Sequence, residues 1–301
     1  MPYRVNQGGK SVTNKTQPQQ PRLPSPVMKV VLGLELARLR KLTDVTQDHA
    51  AERLRCTQQK IACIENGIGI KEMELEVLLD LYEVEESERV YARYLQTGSR
   101  LRTRKGSFST KFVQHMRLLV DMEPSCQHYF AYQAMLVPGL LQTEQYMRRN
   151  ARARRPSLRA DEVDQLVENR MRRQHALDNP NHQFCFVLDE ASLRRTADDS
   201  VMKAQIKHLI KISTRPNVQI QIVPFNIGYY ASQGLTYIIF SFDTKPSADI
   251  IYLERFDRGE YVENVKETPR YLTLRDHHKA VAHGPEQSRR LLRDIAASLR
   301  A

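Results

Sequence analysis

Three polar side chains in a row, Gln58, Gln59 and Lys60, follow Thr57 and lead into Ile61 and Ile64. A carboxamide carries both donors and acceptors, so a glutamine can bond bidentately to the N6/N7 edge of adenine, and a lysine can reach guanine or a phosphate. That chemistry requires the three residues to project from the first turn of a helix that enters a groove. Thr57 supplies the cap of such a helix, Ile61 and Ile64 give it an i, i+3 apolar edge, and Gly67 ends it in the left-handed conformation. A second short helix precedes it. Thr46 caps that one, Gln47 and Asp48 occupy its positive first turn, and Ala51 and Leu54 face inward, Ala51 being small enough for a close crossing. Gln47 and Thr57 are then placed to meet phosphates, and Gln58, Gln59, Lys60 and Ala62 to face bases. The plainer alternative is two packed helices of an ordinary bundle.

Catalytic signatures are scarce elsewhere. Asp189 and Glu190 follow an apolar run, within reach of His175, His182 or His208, but the pair also suits the start of the next helix. His277 and His278 are adjacent on a helical stretch, so their side chains diverge by about 100° and do not converge on one metal. There is no HExxH, GxSxG, P-loop or GxGxxG motif. Cys56, Cys63, Cys126 and Cys185 form no CxxC pair, which argues against both a disulfide framework and a zinc module and suits a reducing cytoplasm. Cys63, on the second helix, reads as a half-buried thiol or as a redox switch. No catalytic residue, metal or cofactor is expected.

The chain has 301 residues, enough for two cores, with a formal charge of +11. A pI near 9.5 and a mean hydropathy of -0.54 fit a soluble protein with a polyanionic partner. The excess is spread over the chain, with 18 basic against 13 acidic residues before Ser107 and 28 against 22 from there on. No apolar run approaches the roughly 20 residues needed to cross a bilayer, and no signal peptide is apparent.

Residues 1–26 are polar and proline-rich, contain Arg4, Lys10, Lys15 and Arg22 without an acid, and read as a disordered tail or a basic arm. Residues 27–97 read as five helices. The first, Val27–Leu42, has Leu32, Leu36 and Leu39 inward and Arg38, Arg40 and Lys41 on the solvated or DNA side. Later helices place Leu75, Leu78, Leu79 and Tyr82, and then Val90, Tyr91, Tyr94 and Leu95, against the core. Residues 98–107 read as a basic linker, either resting on phosphates or solvated. Residues 108–301 mix helical and strand periods. Helices are expected over 108–122, 161–177 (stripe Val163, Leu166, Val167, Met171, with Arg170, Arg172 and Arg173 on other faces) and 200–212 (capped by Ser200), with two more closing the chain. Strands are expected at 126–132, 184–188, 217–223, 235–242 and 250–253, with a short extension at Tyr261. Pro138-Gly139 demands a turn, and Thr143 caps the helix after it. The Gly228–Gly234 loop reads as a lid, a protein-binding edge or an ordinary connection.

Thr46–Gly67, TQDHAAERLRCTQQKIACIENG, resembles the helix-turn-helix of the Xre family, which includes the lambdoid phage repressors. By that resemblance Gln47 matches the phosphate-contacting residue, Gln58 and Gln59 the base readers, and Glu65-Asn66-Gly67 the closing ENG. Arg55 departs from the pattern at a turn position usually held by glycine, where a left-handed backbone costs roughly 1 kcal/mol. Further on, VPGLLQTEQY, RMRRQ, LDEASLRR and NVQIQIVPF occur in the order found in the C-terminal domain of WhiJ-like, antitoxin-like Xre regulators of actinomycetes, and the resemblance spans roughly Met28 to Ala301. It implies an α+β chain: an N-terminal all-α, five-helix Xre-type domain followed by a mixed α/β domain. The expected function is a dimeric, cytoplasmic transcriptional regulator on double-stranded operator DNA whose C-terminal domain senses a protein partner or small-molecule effector. The alternative is an antitoxin-like module that sequesters a small partner protein encoded nearby, with DNA binding as autoregulation.

Overall fold

The computed structural model describes residues 23–101, 112, 114–195, 198–254, 259–262 and 266–300. Residues 1–22 of the expected tail (1–26) and 102–107 of the expected linker (98–107) lie outside them.

Five helices form the head: α1 (Ser25–Leu42), α2 (Gln47–Arg53), α3 (Gln58–Glu65), α4 (Glu72–Leu81) and α5 (Glu86–Ser99). α1 begins two residues before the expected start, with Pro26 in the first turn, where a missing N–H is harmless. Its stripe of Leu32, Leu36 and Leu39 is buried together with Ile61, Ile64, Leu75, Leu78 and Leu79. Gly33 lets α1 touch the end of α3, since a Cβ there would lie 2.7 Å from the carbonyl oxygens of Ile64 and Glu65. Two expectations fail in α5. Val90 and Tyr94 are exposed, and Ala92, Gln96 and Ser99 face inward beside the expected Leu95. Gly98 is no linker residue: it is the last buried turn of α5, and a Cβ on it would overlap the Met28 sulfur at 1.9 Å.

The second half is one six-stranded sheet in the order β3-β2-β1-β4-β5-β6. The strands are β1 (His128–Gln133), β2 (Gln183–Asp189), β3 (Val218–Val223), β4 (Tyr237–Phe242), β5 (Ala248–Glu254) and β6 (Gly259–Val262). β1, β2 and β3 are parallel, with Tyr129 beside Phe184 and Phe186 beside Ile220. β4, β5 and β6 continue antiparallel from β1, with Tyr129 beside Phe240. The parallel crossovers carry helices, as they must: α7 (Glu144–Arg154) and α8 (Ala160–Arg173) lie between β1 and β2, and α9 (Ala191–Arg194) and α10 (Asp199–Ile212) between β2 and β3. α6 (Gln114–Met122) precedes the sheet, and α11 (Thr268–Val281) and α12 (Pro285–Ser298) follow it.

Both faces of the sheet are covered. Tyr129, Phe184, Phe186, Ile220 and Phe240 pack on α10 and α12 in a core that runs on into the head. Phe130, Tyr132, Val187, Tyr237 and Ile251 pack under Tyr271, Leu272 and Leu274 of α11. β3 is therefore buried on both sides, not half-exposed, and Gln221 donates to the His283 carbonyl at 3.0 Å. Asp198, not Ser200, caps α10 by accepting from the Val201 N–H. The helix of 161–177 ends at Arg173 and tightens into a 3-10 turn, and Met171 lies at the surface. Thr143 caps α7 as its sequence implies.

Candidate nucleic-acid interface

α2 and α3 are joined by a four-residue turn whose geometry is set by two caps and one strained residue. α2 ends in a Schellman motif: the Cys56 N–H reaches the Ala51 carbonyl at 2.9 Å and the Arg55 N–H reaches the Glu52 carbonyl at 3.0 Å. This places Arg55 at φ 51°, the left-handed position that suits glycine. Thr57 then opens α3 by accepting from the Lys60 N–H at 3.3 Å, as Thr46 opens α2 by accepting from His49 at 3.1 Å. α3 closes in the same motif, with Gly67 at φ 90° and the Ile68 N–H on the Cys63 carbonyl at 3.1 Å. Asp44 and Glu83 hold the equivalent left-handed positions after α1 and α4. Four successive helices of the head thus end the same way, three of them without glycine.

Gln58, Gln59 and Lys60 are all exposed on the first turn of α3, with Thr57 exposed before them, Gln47 half-buried and Ala62 half-buried on the next turn. A chain of polar contacts fixes two of them. Arg40 on α1 donates to both oxygens of Glu65, Nε to Oε1 at 2.6 Å and a terminal nitrogen to Oε2 at 3.1 Å. Its other terminal nitrogen holds the Val45 carbonyl at 2.9 Å. Gln47 donates to Glu65 Oε2 at 2.7 Å, and Gln58 donates to Gln47 Oε1 at 2.5 Å. Arg40 is therefore not on the solvated side: its side chain is 12% exposed and that of Glu65 is 9%. Donating to the Glu65 carboxylate holds the Arg40 guanidinium above its usual range.

Lys60 turns the other way, toward Glu74 on α4, with an N–O distance of 2.5 Å, and this contact holds its ammonium above the usual range. Gln59 makes no side-chain hydrogen bond among the described residues. The arrangement offers two exposed amides on a capped helix start, one braced and one free, with Arg53 and Arg55 exposed beside them.

Asp189, Glu190 and His278 are held in local networks. Asp189 accepts from the Ala191 N–H at 2.7 Å and from the Tyr230 hydroxyl, and Glu190 accepts from the Phe225 N–H at 2.8 Å, so the pair ties the strand ends to the loops after them. His278 is buried, stacks on Tyr132 with centroids 3.9 Å apart, meets the Tyr237 hydroxyl through Nδ1 at 3.0 Å, and donates from Nε2 to the Ala231 carbonyl at 2.8 Å. Among the described residues no group of three His, Cys, Asp or Glu could hold a metal ion. No described helix is long and apolar enough to cross a membrane.

This geometry is that of a helix-turn-helix, and residues 31–91 match a helix-turn-helix domain family. The class of protein is thereby set: the head is the DNA-binding module of a regulator. Residues 116–294, more than half the chain, match the domain of unknown function DUF5753, and the chain belongs to that family. No curated protein and no solved structure matches it.

Sequence reasoning missed Glu65 and Arg40. Arg40 stands four residues after Leu36 and eight after Leu32, on the edge of the core stripe, which marks it as inward-leaning. Nothing local points to its carboxylate, 25 residues on. Arg40→Ala strips Glu65 of its main counter-charge and is expected to lower the unfolding free energy by roughly 2–4 kcal/mol in urea titration. A loss under about 0.5 kcal/mol, the size of an ordinary surface substitution, would remove the pair from its central place.

Proposed function

We propose that the protein is a sequence-specific transcriptional regulator of the Xre type, in the WhiJ-like, antitoxin-like group, acting in the cytoplasm as a homodimer on double-stranded operator DNA. The observation that carries this reading is the exposure of Gln58 and Gln59 at the capped start of α3. Inserted in a major groove, Gln59 offers its amide to a base edge. Gln58 does so while braced by Gln47, which itself is positioned to meet a phosphate with the first N–H groups of α2. Thr57 stands at the groove edge beside the phosphates, Lys60 exchanges Glu74 for a base or phosphate, and Ala62 supplies apolar contact to a base methyl. Two copies read half-sites about one helical turn apart. The C-terminal domain sets operator affinity in response to an effector.

A second reading is capture of a small partner protein encoded nearby, with DNA binding as autoregulation. It is favoured by the loop after β3, which exposes Phe225, Ile227 and Tyr229, the last at 99%. An apolar tip of this kind suits protein docking.

Replacing Gln58 and Gln59 together by Ala is expected to weaken operator binding by about 1–3 kcal/mol for each bidentate pair lost, read by electrophoretic shift at fixed salt. An unchanged shift would show that α3 does not read bases. For the second reading, co-expression with the neighbouring small gene product should yield a complex that Tyr229→Ala weakens, and purification of the two proteins apart would discard it.

A further inference from the structure

Two sequence stretches left without a role by DNA reading face each other across one cleft. VPGLLQT (137–143) forms a 3-10 turn, and RMRRQ (170–174) ends α8. The turn is pinned from three sides. Gln174 donates to the carbonyls of Gln142 and Gly139 at 2.7 and 3.2 Å. Gln205 donates to the Leu141 carbonyl at 2.6 Å and accepts from the Thr143 N–H at 2.7 Å. Gln142 donates to the Val137 carbonyl at 2.7 Å, which fixes its amide orientation. Its Oε1 is left buried with no donor, although the residue is only 3% exposed and lines the cleft. A buried acceptor without a donor costs stability, and such groups call for an explanation.

The arginines on the opposite wall are not alike. Arg173 is buried and neutralised, bonded through two nitrogens to the buried Glu123 at 2.5 and 2.7 Å. Arg154 lies at the rim, 3.7 Å from Glu254. Arg170, between them in sequence, makes no hydrogen bond or ion pair among the described residues. Burial, then the neighbouring Arg173 charge, pushes its guanidinium down to about 10. Three guanidinium groups thus stand against two carboxylates, with one positive charge uncompensated. Leu119, Val137 and Ile238 give the cleft an apolar wall.

We propose that this cleft binds a small organic anion, its anionic group held by Arg170, a ligand hydroxyl or N–H given to Gln142 Oε1, and its body on Leu119, Val137 and Ile238. A planar guanidinium pairs bidentately with a carboxylate, and the pairing strengthens where water is excluded. The pinned turn gives a site formed before ligand arrives. β5, which brings Tyr252 and Glu254 to the cleft, also packs against α1 of the head, so occupancy is felt next to the helix that carries Arg40. The inference gives the effector of the proposed regulator a chemical class and rests on that reading only for the effect on DNA. Binding is measured without DNA, so the two fail separately.

The test is thermal unfolding and titration calorimetry of the full chain with 4-hydroxybenzoate, benzoate and inorganic phosphate at millimolar concentration. 4-Hydroxybenzoate is expected to raise the melting temperature by about 2–4 °C, benzoate by less for want of a donor, and phosphate least for want of an apolar body. Arg170→Met should abolish the 4-hydroxybenzoate shift and by itself raise the melting temperature in buffer, since it removes a half-buried charge with no hydrogen bond or ion pair among the described residues. Arg170→Lys should weaken binding at least several-fold by losing the bidentate geometry. No shift with either aromatic acid, an equal shift with phosphate, a response that survives Arg170→Met, or a lower melting temperature of that variant in buffer would each overturn the assignment.

Discussion

The head depends on one carboxylate. Glu65 sits at the end of α3 against the backbone of α1, where Gly33 leaves no room for a side chain, and it is shared between Arg40 of α1 and Gln47 of α2. A carboxylate this deep is tolerated only when its lone pairs are filled, and here both oxygens accept from Arg40 while one also accepts from Gln47. The consequence reaches the surface. Gln47, held by Glu65, in turn holds Gln58, so the orientation of the side chain that opens α3 is set, through α2, by a buried ion pair at the far end of the same helix. Preorganisation of this kind lowers the ordering entropy that a free glutamine loses on meeting a base.

The helix ends supply the second constraint. Asp44, Arg55, Gly67 and Glu83 all take the left-handed conformation, each letting the chain reverse within two residues. Three of them accept the strain of a side chain in that region, roughly 1 kcal/mol or more apiece. The packed core of leucines and isoleucines from α1, α3 and α4 offsets it. Arg55 is the one of the three on the turn before α3; it is exposed and makes no ion pair among the described residues.

Much of this was legible in the residue order. Caps at Thr46, Thr57 and Thr143, the stripe on α1, the Ile61 and Ile64 edge and the positions of the strands follow from local rules, whereas the order and direction of the strands in the sheet do not. The failures are tertiary. α5 turned its Ala92, Gln96 and Ser99 face inward because Gly98 lets it lie close on Met28, an approach that an apolar count favouring Val90 and Tyr94 does not foresee. Arg173 and Arg40 read as surface cations, yet each meets a carboxylate 50 or 25 residues away. Long-range ion pairs leave no periodic trace. Of the candidate interface, the exposure of Gln58, Gln59 and Lys60 on the first turn of α3 was visible, but not the bracing of Gln58 by Gln47 nor the turn of Lys60 toward Glu74.

Selection of bound duplexes from a random DNA pool, with the wild-type chain and with Gln59→Ala, tests the central claim most directly. The wild type should enrich a two-fold symmetric sequence with half-sites about 10–10.5 base pairs apart centre to centre, and the variant should lose base preference at one position of each half-site while the others stay. Enrichment of no common sequence, or one whose base preferences are identical in the variant, would mean that the exposed amides of α3 do not read DNA.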